Sequence, residues 1–328
     1  MSLSIAPQLD FSEIPVIDLS PLIAQSDDAA TIVQLADACE RVGFFYVKNH
    51  GIGAEIVSRL HQQAQLFFKQ PVMRKEQLRV DYKMRGYLPL NYRSFEGEQR
   101  AATSHQEGFW VGHETPETAE RSLDGANRWP ADLPAFRPAM EDYFIAVEAL
   151  GRVLMRGFAR SLDLDVETLV PLFDNPTTRL KLNHYPPQET PTDEHHIGVV
   201  PHADSGAFTI LWQDGHGGLE IQNKKGEWVG APPIENTFVV NLGNIMQIWS
   251  GGRFSSTKHR VINRGENDRY SIPLFVNPNQ ETVIRPLIGD DTMSKDSFIY
   301  GEYQTAFWRK AFPIAHGPTV QTSSSASV

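Results

Sequence analysis

Two different spacings of apolar residues divide the chain into an N-terminal and a C-terminal half. Before residue 175, apolar residues recur every three to four positions, which is the spacing of an amphipathic helix. This spacing predicts helices over residues 28–42, 56–68, 134–162 and 166–173. Short runs rich in branched and aromatic residues at 14–19 and 44–47 predict two strands in the same half.

The C-terminal half contains short apolar runs separated by Gly, Pro and Asn. Several such runs at close spacing are typical of strands in a sandwich or a barrel. The predicted strands cover residues 180–185, 207–212, 219–222, 237–242, 259–263 and 269–276. The pattern therefore divides the chain into three parts. These are a helical N-terminal region with some strands that packs on the core (1–174), a β core (175–285) and a C-terminal segment (286–328) whose Ser-rich tail is expected to be disordered.

The charge of the chain limits its partners. Charged residues make up 21% of the 328 residues, and the formal net charge is -10. A chain this acidic, without a block of Lys or Arg, is expected to bind neither nucleic acid nor an anionic membrane surface. A small anionic substrate stays compatible with this charge, because one pocket can be basic on an acidic protein. The sequence leaves the oligomeric state open.

The cysteine content and the start of the chain favour a cytoplasmic location. Cys39 is the only cysteine, so an intramolecular disulfide and a thiolate metal cluster are both impossible. The first ten residues lack a basic cap followed by an apolar run, and no apolar stretch approaches the roughly 20 residues of a spanning helix.

Three side chains can form a metal site. His202 and Asp204 are two residues apart in an extended segment, so their side chains lie on the same face, about 6–7 Å apart along the backbone. His259, in a second segment, supplies a third ligand. Two imidazoles and one carboxylate on one face of an octahedron leave three positions open for O2 and a bidentate co-substrate. This arrangement is typical of non-haem Fe(II) oxygenases.

Spacing alone leaves other ligands open, because the chain has 11 histidines. The segments D-E-H-H at 193–196 and H-Q-E at 105–107 also combine imidazoles with carboxylates. An H-x-D pair is by itself a weak indication of a metal site. The choice of His202, Asp204 and His259 as metal ligands and catalytic residues therefore depends on the motifs around them.

An anion-binding pair follows the third ligand. Arg269 and Ser271 lie two residues apart in a predicted strand and so share a face. A guanidinium can hold a carboxylate through two charge-assisted hydrogen bonds, and a nearby hydroxyl can add a third. A dicarboxylate could then chelate the metal at one end and bind Arg269 and Ser271 at the other. The alternative is an arginine in an ordinary ion pair at a sheet edge.

These motifs together resemble a known signature. H-A-D at 202–204, K-H-R-V at 258–261 and R-Y-S at 269–271 resemble the 2-oxoglutarate/Fe(II)-dependent oxygenases. The similarity is closest to the branch that includes isopenicillin N synthase and the plant gibberellin and flavonoid oxygenases.

Further motifs extend the resemblance along the chain. L-N-H-Y-P-P at 182–187 resembles the N-x-Y-P-P strand of that branch, and residues 202–211 resemble its H-x-D-x-G-x-x-T-x-L run. I-P-V-I-D at 14–18 and G-F-F-Y-V-K-N-H at 43–50 resemble its N-terminal region. The similarity extends from about residue 12 to about residue 310.

The resemblance implies a mixed α and β fold: a double-stranded β-helix, or jelly-roll, core flanked by helices, with a helical N-terminal region. It implies Fe(II) on His202, Asp204 and His259. It also implies that the distal carboxylate of 2-oxoglutarate binds Arg269 and Ser271, and that Asn183 and Tyr185 contact the co-substrate. One position departs from the pattern, since Ser205 stands where many members have Trp, and the pocket beside it is not defined by the motif.

The reaction that the resemblance implies uses O2 and 2-oxoglutarate, with ascorbate as a possible reductant. A C–H bond of a small organic substrate, such as a secondary metabolite, is oxidised, and succinate and CO2 are released. Hydroxylation, desaturation, ring closure, demethylation and ethylene formation share such a site. Two alternatives stay open: an oxidase like isopenicillin N synthase, which uses the iron without 2-oxoglutarate, and a non-catalytic jelly-roll protein that binds a metal or ligand.

The resemblance also indicates where the main substrate would bind. The segment 83–87 is where this branch often approaches its substrate, so Arg85 could bind a carboxylate and Tyr87 could pack on an organic body. His105 and Phe109 lie near a segment that often borders the pocket. The alternative for all four is an ordinary packing or surface role.

Overall fold

The structure is a computed structural model that describes residues 14–92, 103–116, 123–187, 196–263, 267–289 and 297–315. Within these ranges the strands are β1 (Val16–Asp18), β2 (Phe44–Lys48), β3 (Gly86–Leu88), β4 (Thr103–Ser104), β5 (Glu107–Gly112), β6 (Arg179–Tyr185), β7 (His196–Ile197), β8 (Val199–His202), β9 (Phe208–Gln213), β10 (Leu219–Gln222), β11 (Trp228–Gly230), β12 (Phe238–Leu242), β13 (His259–Val261), β14 (Arg269–Val276), β15 (Val283–Ile284) and β16 (Phe298–Ile299).

The helices in the same ranges are α1 (Ser20–Ala24), α2 (Ala29–Arg41), α3 (Ala54–Phe68), α4 (Val72–Glu76), α5 (Phe136–Ser161), α6 (Val166–Leu169), α7 (Asn244–Trp249) and α8 (Tyr300–Ala311). Short 3-10 turns cover Val170–Phe173 and Pro313–Ala315. None of these helices is long and apolar enough to cross a membrane. The predicted disordered tail and the predicted alternative ligands at 193–195 lie outside the described residues.

Two facing sheets form the core. The larger sheet has eight strands in the order β1-β2-β12-β9-β14-β6-β5-β3, and the smaller has four in the order β11-β10-β13-β8. Tyr185 and Val239 of the larger sheet pack in one apolar cluster with Leu219, Ile221 and Val261 of the smaller sheet. All neighbouring strands of the two sheets are antiparallel except β1 and β2. Two mainly antiparallel sheets that enclose a shared interior are the arrangement of a jelly roll, so the predicted core is confirmed.

Helices cover the outer face of the larger sheet. The longest, α5, buries an apolar stripe that includes Met140, Val147 and Leu154, which recur at a spacing of seven residues. Gly151 lies on the same stripe, where an added Cβ would come within 3.3 Å of Val276 on β14. The glycine therefore lets the helix backbone approach the sheet closely.

The predicted helices are found, with one difference near residue 170. The helix predicted over 166–173 is an α-helix only from Val166 to Leu169 and continues as a 3-10 turn from Val170 to Phe173. Pro171 explains the change, because proline has no N–H to donate within a helix. The N-terminal region also contributes β1, β2, β3 and β5 to the larger sheet, so hydrogen-bonded strands join it to the core.

A buried ionic network lies on the helix-facing side of the larger sheet. The Glu107 carboxylate accepts hydrogen bonds from Lys75 Nζ at 2.6 Å and from the Tyr87 hydroxyl at 2.5 Å, and it lies 2.8 Å from His184 Nδ1. His184 Nε2 lies 2.9 Å from Asp268 Oδ1. Burial opposes the ionisation of Glu107, but the hydrogen bonds from His184, Lys75 and Tyr87 outweigh it and lower the pKa of Glu107. The network connects α4, β3 and β5 to β6.

This network predicts a large effect of Glu107→Gln on stability. The substitution leaves the Lys75 ammonium buried beside a neutral amide, and breaking a buried ion pair in this way costs about 3 kcal/mol or more. Urea unfolding followed by circular dichroism should show this loss. The double variant Lys75→Met/Glu107→Gln should recover part of it.

Glu141→Gln is the matched control, because it removes a carboxylate that pairs with Arg137 on the surface, where both side chains are about half exposed. This control should lower the unfolding free energy by less than about 0.5 kcal/mol. Equal effects of the two single variants would contradict the prediction.

Candidate metal and co-substrate site

Three candidate metal ligands meet between β8 and β13. These strands are antiparallel neighbours, and His202 lies directly opposite His259 in their register. Asp204 follows the end of β8, and its Oδ1 lies 3.6 Å from His202 Nε2 and 3.7 Å from His259 Nε2. One ligand atom from each residue lies within 4.8 Å of the others, which is close enough for a shared ion.

Backbone carbonyls orient both imidazoles. His202 Nδ1 lies 2.8 Å from the carbonyl oxygen of Val200, and His259 Nδ1 lies 3.3 Å from that of Thr257. Because a carbonyl oxygen only accepts, each Nδ1 must carry the proton and donate it. The Nε2 lone pair of each ring is then available to a metal, on the side that faces Asp204. Burial lowers the pKa of His259 to about 4, which favours the neutral imidazole that a metal requires.

The second oxygen of Asp204 is held by its neighbours. Asp204 Oδ2 accepts hydrogen bonds from Thr209 Oγ1 at 2.5 Å and from Asn241 Nδ2 at 2.7 Å. Burial opposes ionisation of this carboxylate, but His259, His202 and these two hydrogen bonds outweigh it and lower the pKa of Asp204. The carboxylate is therefore charged, with Oδ1 directed at the imidazoles.

A tight turn after Asp204 sets the position of this carboxylate. A Cβ added to Gly243 would lie 2.3 Å from the carbonyl oxygen of Gly206 and 2.9 Å from that of Asp204, so the glycine at 243 lets its segment approach this turn closely. Ser205, at the position that departs from the family pattern, donates a hydrogen bond to Gln304 Oε1 on α8 at 3.2 Å. The C-terminal helix is thus attached directly beside the metal ligands.

The four predicted co-substrate residues form two cross-strand pairs. In the register of β6 and β14, Arg269 lies opposite Tyr185, and Ser271 lies opposite Asn183. The Arg269 guanidinium lies 4.7 Å from the centre of the Tyr185 ring, and Asn183 Nδ2 donates to Ser271 Oγ at 3.2 Å. All four line the same cavity as His202, Asp204 and His259.

The hydrogen bonds of Arg269 test whether a carboxylate fits there. This side chain is buried, and it donates from Nε to the Gly217 carbonyl and from Nη2 to Gln213 Oε1 at 3.2 Å. Its Nη1 has no hydrogen-bond partner among the described residues. A buried cationic donor without a partner is costly. A carboxylate in the cavity would supply the missing acceptor, so this end of the site fits the distal carboxylate of 2-oxoglutarate.

The four predicted substrate residues lie elsewhere. Tyr87 and Phe109 are opposite each other in β3 and β5, and both pack in the core beneath the helices. Arg85 is buried and donates to Asn127 Oδ1 at 2.6 Å, and His105 Nδ1 lies 2.8 Å from Asn91 Oδ1. None of the four is among the described residues that line the cavity. Their role in substrate binding stays a prediction that this geometry does not favour.

On β5 and β6, the residues that alternate with the core-facing ones face the cavity instead. Trp110 on β5 and Lys181 on β6 are opposite each other in the register, and both line the cavity. Phe275 on β14 and Trp308 on α8 form further parts of the wall. The sequence carried a signal for Lys181, because it stands two residues before Asn183 in a strand where alternate side chains share a face. The sequence near the ligands contains nothing that indicates α8.

Two known families match parts of the chain. Residues 14–132 match the family described as "non-haem dioxygenase in morphine synthesis N-terminal". Residues 176–278 match the 2OG-Fe(II) oxygenase superfamily, and this segment contains all seven residues of the candidate metal and co-substrate site.

Similar proteins cover nearly the whole chain. The homoarginine-6-hydroxylase 2-ODD-C23 of Glycine max is 32% identical, over 90% of this chain and 96% of that protein. The 2-oxoglutarate-dependent dioxygenase citB of Monascus ruber is 33% identical, over 88% of this chain and 93% of that protein.

A solved structure shows the same fold. A full-length Neurospora crassa protein, in complex with alpha-KG and thymine, superposes with a TM-score of 0.79 at 26% identity, over 89% of this chain and 95% of that one. The extent of these matches means that the chain belongs to the 2OG-Fe(II) oxygenase superfamily, within its 2-oxoglutarate-dependent dioxygenases.

Proposed function

We propose that His202, Asp204 and His259 bind Fe(II), and that Arg269 and Ser271, with Asn183 and Tyr185, bind 2-oxoglutarate. The protein then couples the decarboxylation of 2-oxoglutarate by O2 to the oxidation of a C–H bond in a small organic substrate. In the hydroxylation outcome, one oxygen atom of O2 enters succinate and the other enters the product. One observation carries the proposal: two imidazoles and a carboxylate that can share an ion line the same cavity as a buried arginine whose Nη1 lacks a partner among the described residues.

The chain contributes positions and charges to this chemistry. The bound iron would supply the activation of O2, which no side chain can supply. His202 and His259 present Nε2 because their Nδ1 protons are held by carbonyls. Asp204 stays ionised and directs Oδ1 inward because Thr209 and Asn241 hold Oδ2.

The other side chains of the cavity separate the co-substrate from water. Arg269 would hold the distal carboxylate, and Leu211 and Val261 give the cavity apolar walls. Excluding water strengthens the charge-assisted bonds within the site and protects reactive species from side reactions.

The partner class is a small molecule. The related Neurospora crassa protein has been solved with thymine and with 5-formyluracil, which are small organic ligands. The net charge of -10 favours neither nucleic acid nor an anionic membrane as a partner. A cytoplasmic location stays a prediction.

The proposal predicts that the purified protein forms succinate when it is supplied with Fe(II), ascorbate, 2-oxoglutarate and O2. His202→Ala should abolish succinate formation and reduce the bound iron, because it removes one of three protein ligands. Succinate is measured by chromatography and iron by elemental analysis of the anaerobically loaded protein.

His113→Ala is the control for this experiment, because His113 pairs with Glu148 outside the cavity and should keep both properties. An iron-loaded protein that forms no succinate with any substrate would contradict the use of 2-oxoglutarate. That result would favour an oxidase in which Arg269 holds a carboxylate of the substrate.

Substitution of Arg269 tests the binding of 2-oxoglutarate. Arg269→Ala should weaken 2-oxoglutarate binding by about 2 kcal/mol, or roughly 30-fold, because a buried charge-assisted pair is lost. Arg269→Lys should lose less, since it keeps the charge but not the two-pronged geometry. Calorimetric titration of the Mn(II)-loaded protein without O2 measures this affinity.

Arg253→Ala controls for the loss of an arginine, because Arg253 pairs with Glu40 at the surface and should leave the affinity unchanged. Folding of each variant is checked by circular dichroism. A folded Arg269→Ala protein that binds 2-oxoglutarate as tightly as the parent would refute the anchor.

Substitution of Asn241 tests how the Asp204 carboxylate is held. Asn241→Ala removes the 2.7 Å hydrogen bond to Oδ2 without removing a metal ligand. Loss of such a supporting partner typically lowers metal affinity by about 10- to 100-fold. Competition with a fluorescent chelator gives the affinity for Fe(II) or Mn(II), and Asn223→Ala on the exposed turn after β10 is the control. An unchanged affinity in Asn241→Ala would mean that Thr209 alone holds the carboxylate.

A further inference from the structure

The charges that line the cavity are uneven. Among its described lining residues, Asp204 is the only carboxylate, whereas Arg179, Lys181 and Arg269 are all basic. Arg269 faces the end that fits 2-oxoglutarate. Arg179, Lys181, Asn183 and Tyr185 alternate along one face of β6, so Lys181 lies roughly 13 Å along the strand from Tyr185, the cross-strand partner of Arg269. Lys181 therefore marks a second cationic end of the cavity, well separated from the end that contains Arg269.

Lys181 is held in a buried aromatic setting. Its side chain is 5% exposed, and its Nζ lies 5.0 Å from the centre of the Trp110 ring and 5.8 Å from that of Tyr92. No carboxylate lies within ion-pair distance of it among the described residues. Gly108 leaves room for the lysine, since an added Cβ would lie 2.8 Å from Lys181 Cε. Burial lowers the pKa of Lys181 to about 7, and a nearby anion would favour the charged form again.

Arg179 is different, although it lies on the same face of β6. Its Nη1 donates to the carbonyl oxygens of Thr177 and Thr178, and its Nη2 donates to that of Leu123 at 2.6 Å. These carbonyls occupy the amino groups at the end of the guanidinium. Its Nε has no hydrogen-bond partner among the described residues, so Arg179 offers a ligand one donor, fewer than the ammonium of Lys181.

The cavity that contains Lys181 also has buried polar atoms without a partner among the described residues. Trp110 Nε1, Ser104 Oγ and Gln106 Oε1 are buried, line the same cavity and have no hydrogen-bond partner among the described residues. The amide nitrogen of Gln106 is already used, because it donates to the Tyr92 hydroxyl at 2.5 Å. The indole N–H of Trp110 and the ammonium of Lys181, which lies against the Trp110 ring, can both donate to a carboxylate.

The remaining walls at this end are apolar and aromatic. Phe275 stacks on Trp110 with ring centres 5.4 Å apart, and Phe312 meets the edge of Trp110 at 6.0 Å. Trp308 of α8 completes this part of the cavity. Such walls suit the burial of an apolar body and leave a sugar or a second highly charged group without partners.

We propose that Lys181 binds a carboxylate of the organic substrate, and that Trp110, Phe275 and Phe312 bind its apolar body. The substrate class is then a small apolar carboxylic acid whose acid group lies at the far end of the cavity from Arg269. This proposal rests on the proposed function, because it takes the Arg269 end to be occupied by 2-oxoglutarate. Of these residues, Trp110 on β5 and Lys181 on β6 lie one position away from Phe109 and Leu182, which pack in the core on the other face of the sheet.

The test compares acids with their neutral amides. Mn(II)-loaded protein with saturating 2-oxoglutarate and no O2 is titrated with phenylacetate, 3-phenylpropanoate and decanoate, and with the primary amide of each. Tryptophan fluorescence and calorimetry report binding. At least one acid should bind roughly 10-fold or more tightly than its amide, as expected for a charge-assisted bond in a buried site. If no acid in the panel binds more tightly than its amide, the proposal is overturned.

Variants connect this preference to the lysine. Lys181→Met keeps the length of the side chain and should reduce the preference for the acid to within about twofold, whereas Lys181→Arg should keep most of it. Gly108→Ala, which leaves the lysine in place but crowds its Cε, should give an intermediate loss. Lys225→Met, in an exposed turn, should match the parent. An undiminished preference in folded Lys181→Met protein would also overturn the proposal.

The same titrations separate failure of this inference from failure of the proposed function. If the parent protein binds 2-oxoglutarate but binds no acid more tightly than its amide, the proposed function stands and the role of Lys181 is refuted. Parent protein that fails to bind 2-oxoglutarate loses the proposed function. If 2-oxoglutarate binding depends on Lys181 and not on Arg269, the two ends of the cavity have been assigned in reverse.

Discussion

The register between β8 and β13 is the constraint on which the site depends. Opposite residues in an antiparallel pair have Cβ atoms about 4.5–5.5 Å apart, so the pairing of His202 with His259 brings two imidazoles to one point. Asp204 joins them because the turn after β8 packs closely against Gly243, where a side chain would collide with the carbonyl oxygens of Asp204 and Gly206. A slip of one residue would turn one imidazole to the other face of the sheet and separate the triad.

Strand β6 positions further side chains of the cavity, because its alternate residues share one face. Its cavity face has four polar or charged side chains, and its other face has Leu180, Leu182 and His184. The same strand therefore supports the helix-covered core on one side and separates two cationic ends of the cavity on the other. The protein has a net charge of -10, yet the wall of this cavity is basic, because charge on the surface and charge in a buried pocket are set independently.

Much of the fold and the centre of the site could be predicted from sequence, because the pattern in those segments is unambiguous. Residues 202–204 and 269–271 alternate clearly, so the shared face of each pair was readable. The substrate end of the cavity could not be predicted, because all six residues of β5 are buried. The strand shows no polar alternation that would indicate whether Phe109 or Trp110 faces the cavity. The contribution of α8 could not be read at all, since Gln304 meets Ser205 across 99 residues of chain without a local signal.

The proposed function requires that three protein ligands hold one ion and that the arginine end of the cavity holds the co-substrate. A crystal structure of the protein grown without O2 in Fe(II) and 2-oxoglutarate would show both. We expect one ion bound by Nε2 of His202, Nε2 of His259 and Oδ1 of Asp204, with a 2-oxoglutarate carboxylate on Nη1 of Arg269. A fourth protein ligand on the ion, or 2-oxoglutarate bound against Lys181 with Arg269 unoccupied, would contradict it.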